Sequence, residues 1–116
     1  MKKFSIKQSH MFSKVFKRGR YSSGYFLTVY ALKNYNRNAP FRLGVSVSAK
    51  NGGAVKRNRA KRVIREAFYS ICRNRKISDG YFIVIIGRAP CFDRRNKTQS
   101  VLKCMEKSML KLNLID

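Results

Sequence analysis

In Arg42-Leu43-Gly44-Val45-Ser46-Val47-Ser48-Ala49-Lys50-Asn51-Gly52-Gly53-Ala54-Val55-Lys56-Arg57-Asn58-Arg59-Ala60-Lys61-Arg62-Val63-Ile64-Arg65 the repeat of apolar residues changes from every second position to helical spacing. From Arg42 to Lys50, Leu43, Val45, Val47 and Ala49 fall on one face of a strand, and Gly44, Ser46, Ser48 and Lys50 fall on the other. Asn51-Gly52-Gly53 then breaks the strand. Beyond it the spacing predicts a helix over Ala54 to Asn74, with Ala60, Val63, Ile64, Ala67, Phe68 and Ile71 in one arc that must pack on a sheet.

Working outward, Ser78-Asp79-Gly80 reads as a turn, and Tyr81 to Ile86 is apolar on both faces, as in a central strand covered by helices. Ala89 to Arg95 is irregular around Pro90. Asn96 to Leu112 is an amphipathic helix, with Leu102, Met105 and Met109 inward and Lys103, Lys107 and Lys111 outward. On the N-terminal side, Tyr25 to Leu32 reads as a strand with Tyr25, Leu27, Val29 and Ala31 on one face and Phe26, Thr28, Tyr30 and Leu32 on the other, turning through Asn34 to Pro40 into the next strand as a hairpin. Ser9 to Arg18 reads as a helix, with Ser9 as cap and Gly19 past its end.

The expected fold is α+β: a small mixed sheet packed with helices in a two-layer sandwich, in the order α-β-β-α-β-α, with room for a short extra strand after the first helix. The strands from Arg42 and Tyr81 with the helix between them form a βαβ unit if they lie parallel. No internal repeat or linker divides residues 1–116, so a single domain is expected.

The partner class follows from charge. The chain has 27 Lys and Arg against 5 Asp and Glu, and from Met1 to Arg65 it has basic residues but no acid. Such a field repels itself and is relieved beside a polyanion, so nucleic acid is the leading partner. The N-terminus lacks the apolar run of a signal peptide, and no stretch is long enough to span a membrane, so a cytoplasmic location and no membrane partner are expected. Cys72, Cys91 and Cys104 have no metal-ligand spacing and read as ordinary thiols. One histidine, His10, and scattered carboxylates (Glu66, Asp79, Asp93, Glu106 and Asp116) give general acid–base or metal chemistry little to work with. No catalytic or metal-binding residue is therefore assigned, and any reacting groups are expected to belong to the partner.

Within the long helix, Arg57, Lys61 and Arg65 recur every fourth residue, as do Asn58 and Arg62, which gathers these five beside the apolar arc. Like charges at this spacing oppose the helix that carries them, which points to an external anion rather than a merely solvated face. Arginine binds phosphate with a planar fork, and Asn58 offers both a donor and an acceptor. Phe12, Phe16 and Tyr30 suit core packing at their spacing, but aromatic platforms over a positive groove also hold single-stranded RNA. The face carrying Ser46, Ser48 and Lys50 suits the floor of such a groove.

These residues resemble the protein subunit of bacterial ribonuclease P. The resemblance rests on Phe41-Arg42-Leu43-Gly44-Val45-Ser46-Val47-Ser48, on Gly52 and Ala54-Val55, and above all on Arg57-Asn58-Arg59-x-Lys61-Arg62-x-x-Arg65-Glu66-x-Phe68. Phe12-x-x-x-Phe16 with Gly19 is similar to the family's first helix, and Tyr81 to Ile86 to its last strand; Ala49 and Gly53 depart from the pattern, where relatives often have Lys and Asn. The resemblance implies a left-handed βαβ crossover. It implies a ribonucleoprotein in which a catalytic RNA removes the 5′ leader of precursor tRNA by magnesium-dependent hydrolysis, with magnesium held mainly by the RNA and one protein per RNA. Carried onto this chain, it places Arg57, Asn58, Arg59, Lys61, Arg62 and Arg65 at the catalytic RNA. It also makes Phe12, Phe16, Tyr30, Ser46, Ser48 and Lys50 the leader-binding cleft. A ribosomal or other structural RNA-binding protein accounts equally well for size and charge, though not for the order of motifs. A DNA binder lacks a helix-turn-helix pair.

Overall fold

The computed structural model describes residue 6, residues 9–48, residue 50, residues 52–92 and residues 98–115. Ala49, Asn51, Asp93, the expected helix start at Asn96, and Asp116 lie outside the described residues, as does the side chain of Ser9. The elements are α1 (Ser9–Arg18), β1 (Arg20–Ser23), β2 (Leu27–Lys33), β3 (Arg42–Val47), α2 (Ala54–Asn74), β4 (Tyr81–Gly87), a short 3-10 turn (Ala89–Phe92) and α3 (Thr98–Lys111). The extra strand after the first helix is thus present as β1.

The four strands lie in the order β1-β2-β4-β3. β1 and β2 pair antiparallel, as do β2 and β4, while β3 and β4 are parallel, so the βαβ unit is formed. The hairpin expected from Tyr25–Leu32 and Arg42–Lys50 does not form, because β4 lies between those strands. Its Ile83, Val84 and Ile85 are fully buried, and such a strand is stable only where neighbours and helices cover both faces. The β2–β3 connection instead crosses the turn before β4, with Asn34 N–H donating to Gly80 O and Gly80 N–H to Ala39 O. Gly80 has a φ of 79°, and a Cβ there would come 2.7 Å from Arg37 O, so the crossing requires glycine.

Pairing and pleat assign the faces. Leu27, Val29, Ala31, Leu43, Ile83 and Ile85 face α2 and α3 and share one core with Ala60, Ile64, Ala67, Phe68, Ile71, Val101, Met105 and Met109. Val63 and Leu102, expected inward, are only partly buried at its margin. Leu112, Leu114 and Ile115 extend this core beyond α3. Sheet and α2–α3 pair make the two layers. α1 lies across the opposite face, where Val15 is fully buried, Phe16 meets Tyr30, and Phe12 covers Gly44. Tyr25, expected on one strand face with Leu27, lies outside β2 and is 68% exposed, because the chain turns there from β1 into β2, with Gly24 N–H bonded to Leu27 O.

Candidate nucleic-acid interface

The registers place Tyr21, Tyr30, Val84 and Gly44 opposite one another on successive strands, forming one row across the sheet face under α1. Helical spacing sets Phe12 and Phe16 on one side of α1, above this row. The ring centroids of Phe12 and Phe16 are 6.5 Å apart, those of Phe16 and Tyr30 5.1 Å, and those of Tyr30 and Tyr21 5.5 Å. Phe16 is 39% exposed and Tyr21 64% exposed, so the chain of rings reaches solvent. A purely core role for the aromatic pair on α1 is met by Val15 instead.

The next row on the same face is Ser23, Thr28, Ile86 and Ser46. The hydroxyls of Ser23 and Thr28 are 2.9 Å apart. Four strands span about 14 Å at the usual spacing. This row therefore forms a shallow floor of small hydroxyls around one apolar side chain, bordered by the aromatic wall of α1. Ser48 follows at the end of β3, where its hydroxyl accepts from Lys50 N–H at 3.2 Å, and both residues are exposed. The structure thus brings Phe12, Phe16, Tyr30 and Ser46 to one side of the sheet, with Ser48 and Lys50 following just past the end of β3. Tyr21, Ser23, Thr28 and Ile86 belong to the same surface but were not singled out from the sequence. Thr28 shares a strand face with Tyr30 in the sequence, whereas the others need the strand order.

α2 begins just beyond this surface. Gly53 caps it without a side-chain hydrogen bond, and the first turn has no acid, so the positive end of the helix dipole is not offset by a side chain there. The α3 side of the helix is marked by Ser70 and Asn74, which border a groove with Leu102 and Glu106. Phe68, about a third of a turn away in direction, meets Phe41 just before β3. At helical pitch, Arg57, Lys61, Arg65, Asn58 and Arg62 fall on this β3 flank and away from α3. Asn58, Arg62 and Arg65 are exposed, and Arg57 and Lys61 are half-buried. Arg59, also half-buried, points about 60° beyond Arg62 and stands apart from the other five.

β3 is an edge strand, so cleft and basic flank lie on the two sides of one border of the sheet. Ile6 N–H donates to Leu43 O on that border at 2.9 Å. His10 is exposed on α1. Cys91 is buried, and Cys72 and Cys104 are half-buried, all as free thiols. Burial pushes the Cys72 thiol up to about 11 against a smaller lowering by Arg73, and pushes Cys91 to about 11 with a further rise from Cys104. Neither is a thiolate nucleophile near neutral pH.

A ribonuclease P family profile matches residues 1–113. The ribonuclease P protein component of Listeria monocytogenes is 43% identical over 89 residues, covering 77% of this chain and 72% of the relative. That of Macrococcus caseolyticus is 37% identical over 108 residues, covering 93% and 89%. The solved RNase P protein of Staphylococcus aureus superposes with a TM-score of 0.81 at 31% identity, over 97% of this chain and 98% of that one. The Thermotoga maritima RNase P protein superposes with a TM-score of 0.76 at 28% identity, over 89% and 92%.

Proposed function

Because the chain belongs to the bacterial ribonuclease P protein family, the protein component of an endoribonuclease that works with an RNA subunit, we propose a division of labour between its two surfaces. The cleft under α1 takes the single-stranded 5′ leader of precursor tRNA, and the β3 flank of α2 takes the catalytic RNA, with one protein to one RNA. The observation that carries this reading is the run of half-exposed rings from Phe12 to Tyr30 above a hydroxyl-lined floor, ending at Lys50 and the first turn of α2. Unpaired bases stack on such rings whatever their sequence, while the cations beside them neutralise the backbone.

The protein's own part is to bind and orient. Arg57, Lys61 and Arg65 hold phosphates, Asn58 bonds to a base edge or a 2′-hydroxyl, and Phe16 and Tyr30 fix the leader relative to the bond to be cut. Magnesium needs a near-octahedral set of oxygens. Among the described residues no three His, Cys, Asp or Glu side chains gather into such a set. Magnesium and the hydrolytic chemistry are assigned to the RNA, and a cytoplasmic location suits the pairing.

The test is a magnesium titration of precursor tRNA cleavage by protein, RNA and both together. The protein should stimulate most at low magnesium, where its charge replaces divalent screening between two polyanions. Specific cleavage by RNA-free protein, abolished by His10→Ala or Glu66→Gln, overturns the assignment of chemistry. No stimulation at any magnesium concentration returns the chain to a structural RNA-binding role.

A further inference from the structure

At the far end of the sheet from Lys50 and Arg57, a recess of about 480 Å3 opens between the C-terminal ends of α1 and α3. Arg18, Arg20, Lys33, Leu32, Tyr81 and Asn113 line it. Its position follows from the fold. β1 pairs with β2 only as far as Ala31, and at Gly19 the chain leaves for α1, so Leu32 and Lys33 project past the end of β1. Arg20 is oriented by its Nη2, which donates to Leu112 O at 2.9 Å, just after α3. Its other guanidinium donors remain, and Arg18 and Lys33 are exposed. Among the described residues that line the recess there is no carboxylate.

The charge balance favours an anion here. Two helix C-termini meet here, each carrying roughly half a negative charge. Together they offset about one of the three cations, which leaves a surplus of about two positive charges. Cations placed only to satisfy the helix ends would not leave that surplus.

We propose that this recess is a second RNA-backbone site, taking one or two phosphodiester groups between Arg18, Arg20 and Lys33. The inference rests on the reading of the chain as an RNA-binding subunit. It adds a contact that neither the cleft nor the α2 flank supplies. Six residue steps along β4, from Tyr81 to Gly87, separate the two ends of the sheet by about 20 Å. A phosphate held at each end therefore fixes the direction in which the sheet lies on the RNA, which one site alone leaves free to pivot. The phosphates belong either to the catalytic RNA or to the tRNA body, and the chemistry of recognition is the same.

The experiment uses the full chain with catalytic RNA, with and without mature tRNA. It compares the double variant Arg18→Ala with Lys33→Ala against a charge-matched control, Lys103→Ala with Lys107→Ala, on the exposed side of α3. All four side chains are exposed, so both proteins should fold, and circular dichroism checks this. The recess variant should bind tenfold or more weakly, and its plot of log affinity against log salt should be shallower by about one to two, one phosphate contact each being worth about 0.9. Phosphate-alkylation interference should lose a discrete one- or two-position signal, in the catalytic RNA or in the tRNA, which identifies the source. If the recess variant and the control weaken binding equally, with no discrete signal lost, only net charge is at work and the site is overturned. If the unaltered protein itself does not bind the RNA, the broader reading fails instead, and the two failures are distinguishable.

Discussion

Gly44 lies directly beneath the ring of Phe12, so that a Cβ at position 44 would come within 2.6 Å of Phe12 Cζ. The ring can swing away only by leaving the sheet, since Val15 one turn on holds α1 in place. Gly44→Ala is therefore expected to cost about 1 to 3 kcal/mol, as overpacking does, and to displace the first ring of the cleft. Thermal melting reads the first effect. Weaker binding of leader-bearing substrate, with mature tRNA unchanged, reads the second.

Phe16→Ala should weaken binding of precursor tRNA with a leader several nucleotides long by about 1 to 3 kcal/mol, the usual worth of one base stack. Mature tRNA should bind as before. Tyr21→Ala should show the same selectivity with little change in stability, because most of that ring is in solvent. Collapse of the melting temperature with equal loss for both RNAs would make Phe16 a packing residue.

Arg57 Nε is buried and has no hydrogen-bond partner among the described residues, and Lys61 carries a like charge one turn further along the helix. Arg57→Met is therefore expected to stabilise the protein alone by about 1 kcal/mol, while weakening RNA binding and reducing its salt slope by about 0.9. Lys61→Ala and Arg65→Ala should reduce the slope without the gain in stability. Denaturant melts and filter binding at several salt concentrations separate the two effects.

Gly53 caps α2 with extended backbone, φ −75° and ψ −177°, and a Cβ added there meets no described residue within 4 Å. Asparagine fits that conformation and can accept from the N–H of Val55 or Lys56. Gly53→Asn should raise stability by a few tenths of a kcal/mol, seen as a small upward shift in melting temperature.

The Cys91 thiol, raised to about 11 chiefly by burial, should resist alkylation at pH 8 until the protein unfolds. Its folded value lies above the ordinary 9.0, so the stability linked to the neutral thiol is complete below about pH 9 and is lost as pH rises through 11. Alkylation rates with and without denaturant check the first statement, and melts from pH 8 to 11 the second.

What was legible in the chain was whatever depends on local periodicity. The strand at Tyr81–Ile86, the helix over Ala54–Asn74 and its apolar arc all announced themselves, because each repeats over several turns or is apolar throughout. The basic residues of that helix were legible for the same reason. The hairpin was misjudged because nothing local tells the strand ending at Lys33 that its partner is β4 rather than the strand from Arg42. Tyr21 and Ile86 were missed as cleft residues for a related reason: their place on the face with Tyr30 and Ser46 is set by cross-strand register, which is invisible until the strand order is known. β1 left only four residues of pattern, too few to compete with the turn signals around Gly19 and Gly24.

The middle position of β4 also decides when the molecule can be completed. It pairs Leu27 with Gly87, sixty positions later, and among the described residues it is the only strand that touches both β2 and β3. Until it leaves the ribosome, the growing polypeptide holds a two-stranded piece, a lone strand and a strongly cationic helix with no shared sheet to join them. Closing such distant pairs is slow compared with helix formation. The nascent segment that most resembles a nucleic-acid ligand therefore emerges, unfolded in its tertiary contacts, into surroundings crowded with RNA. Synthesis order thus favours an early, non-specific encounter with polyanions, with the selective surface assembled only when the last strand slots into the centre.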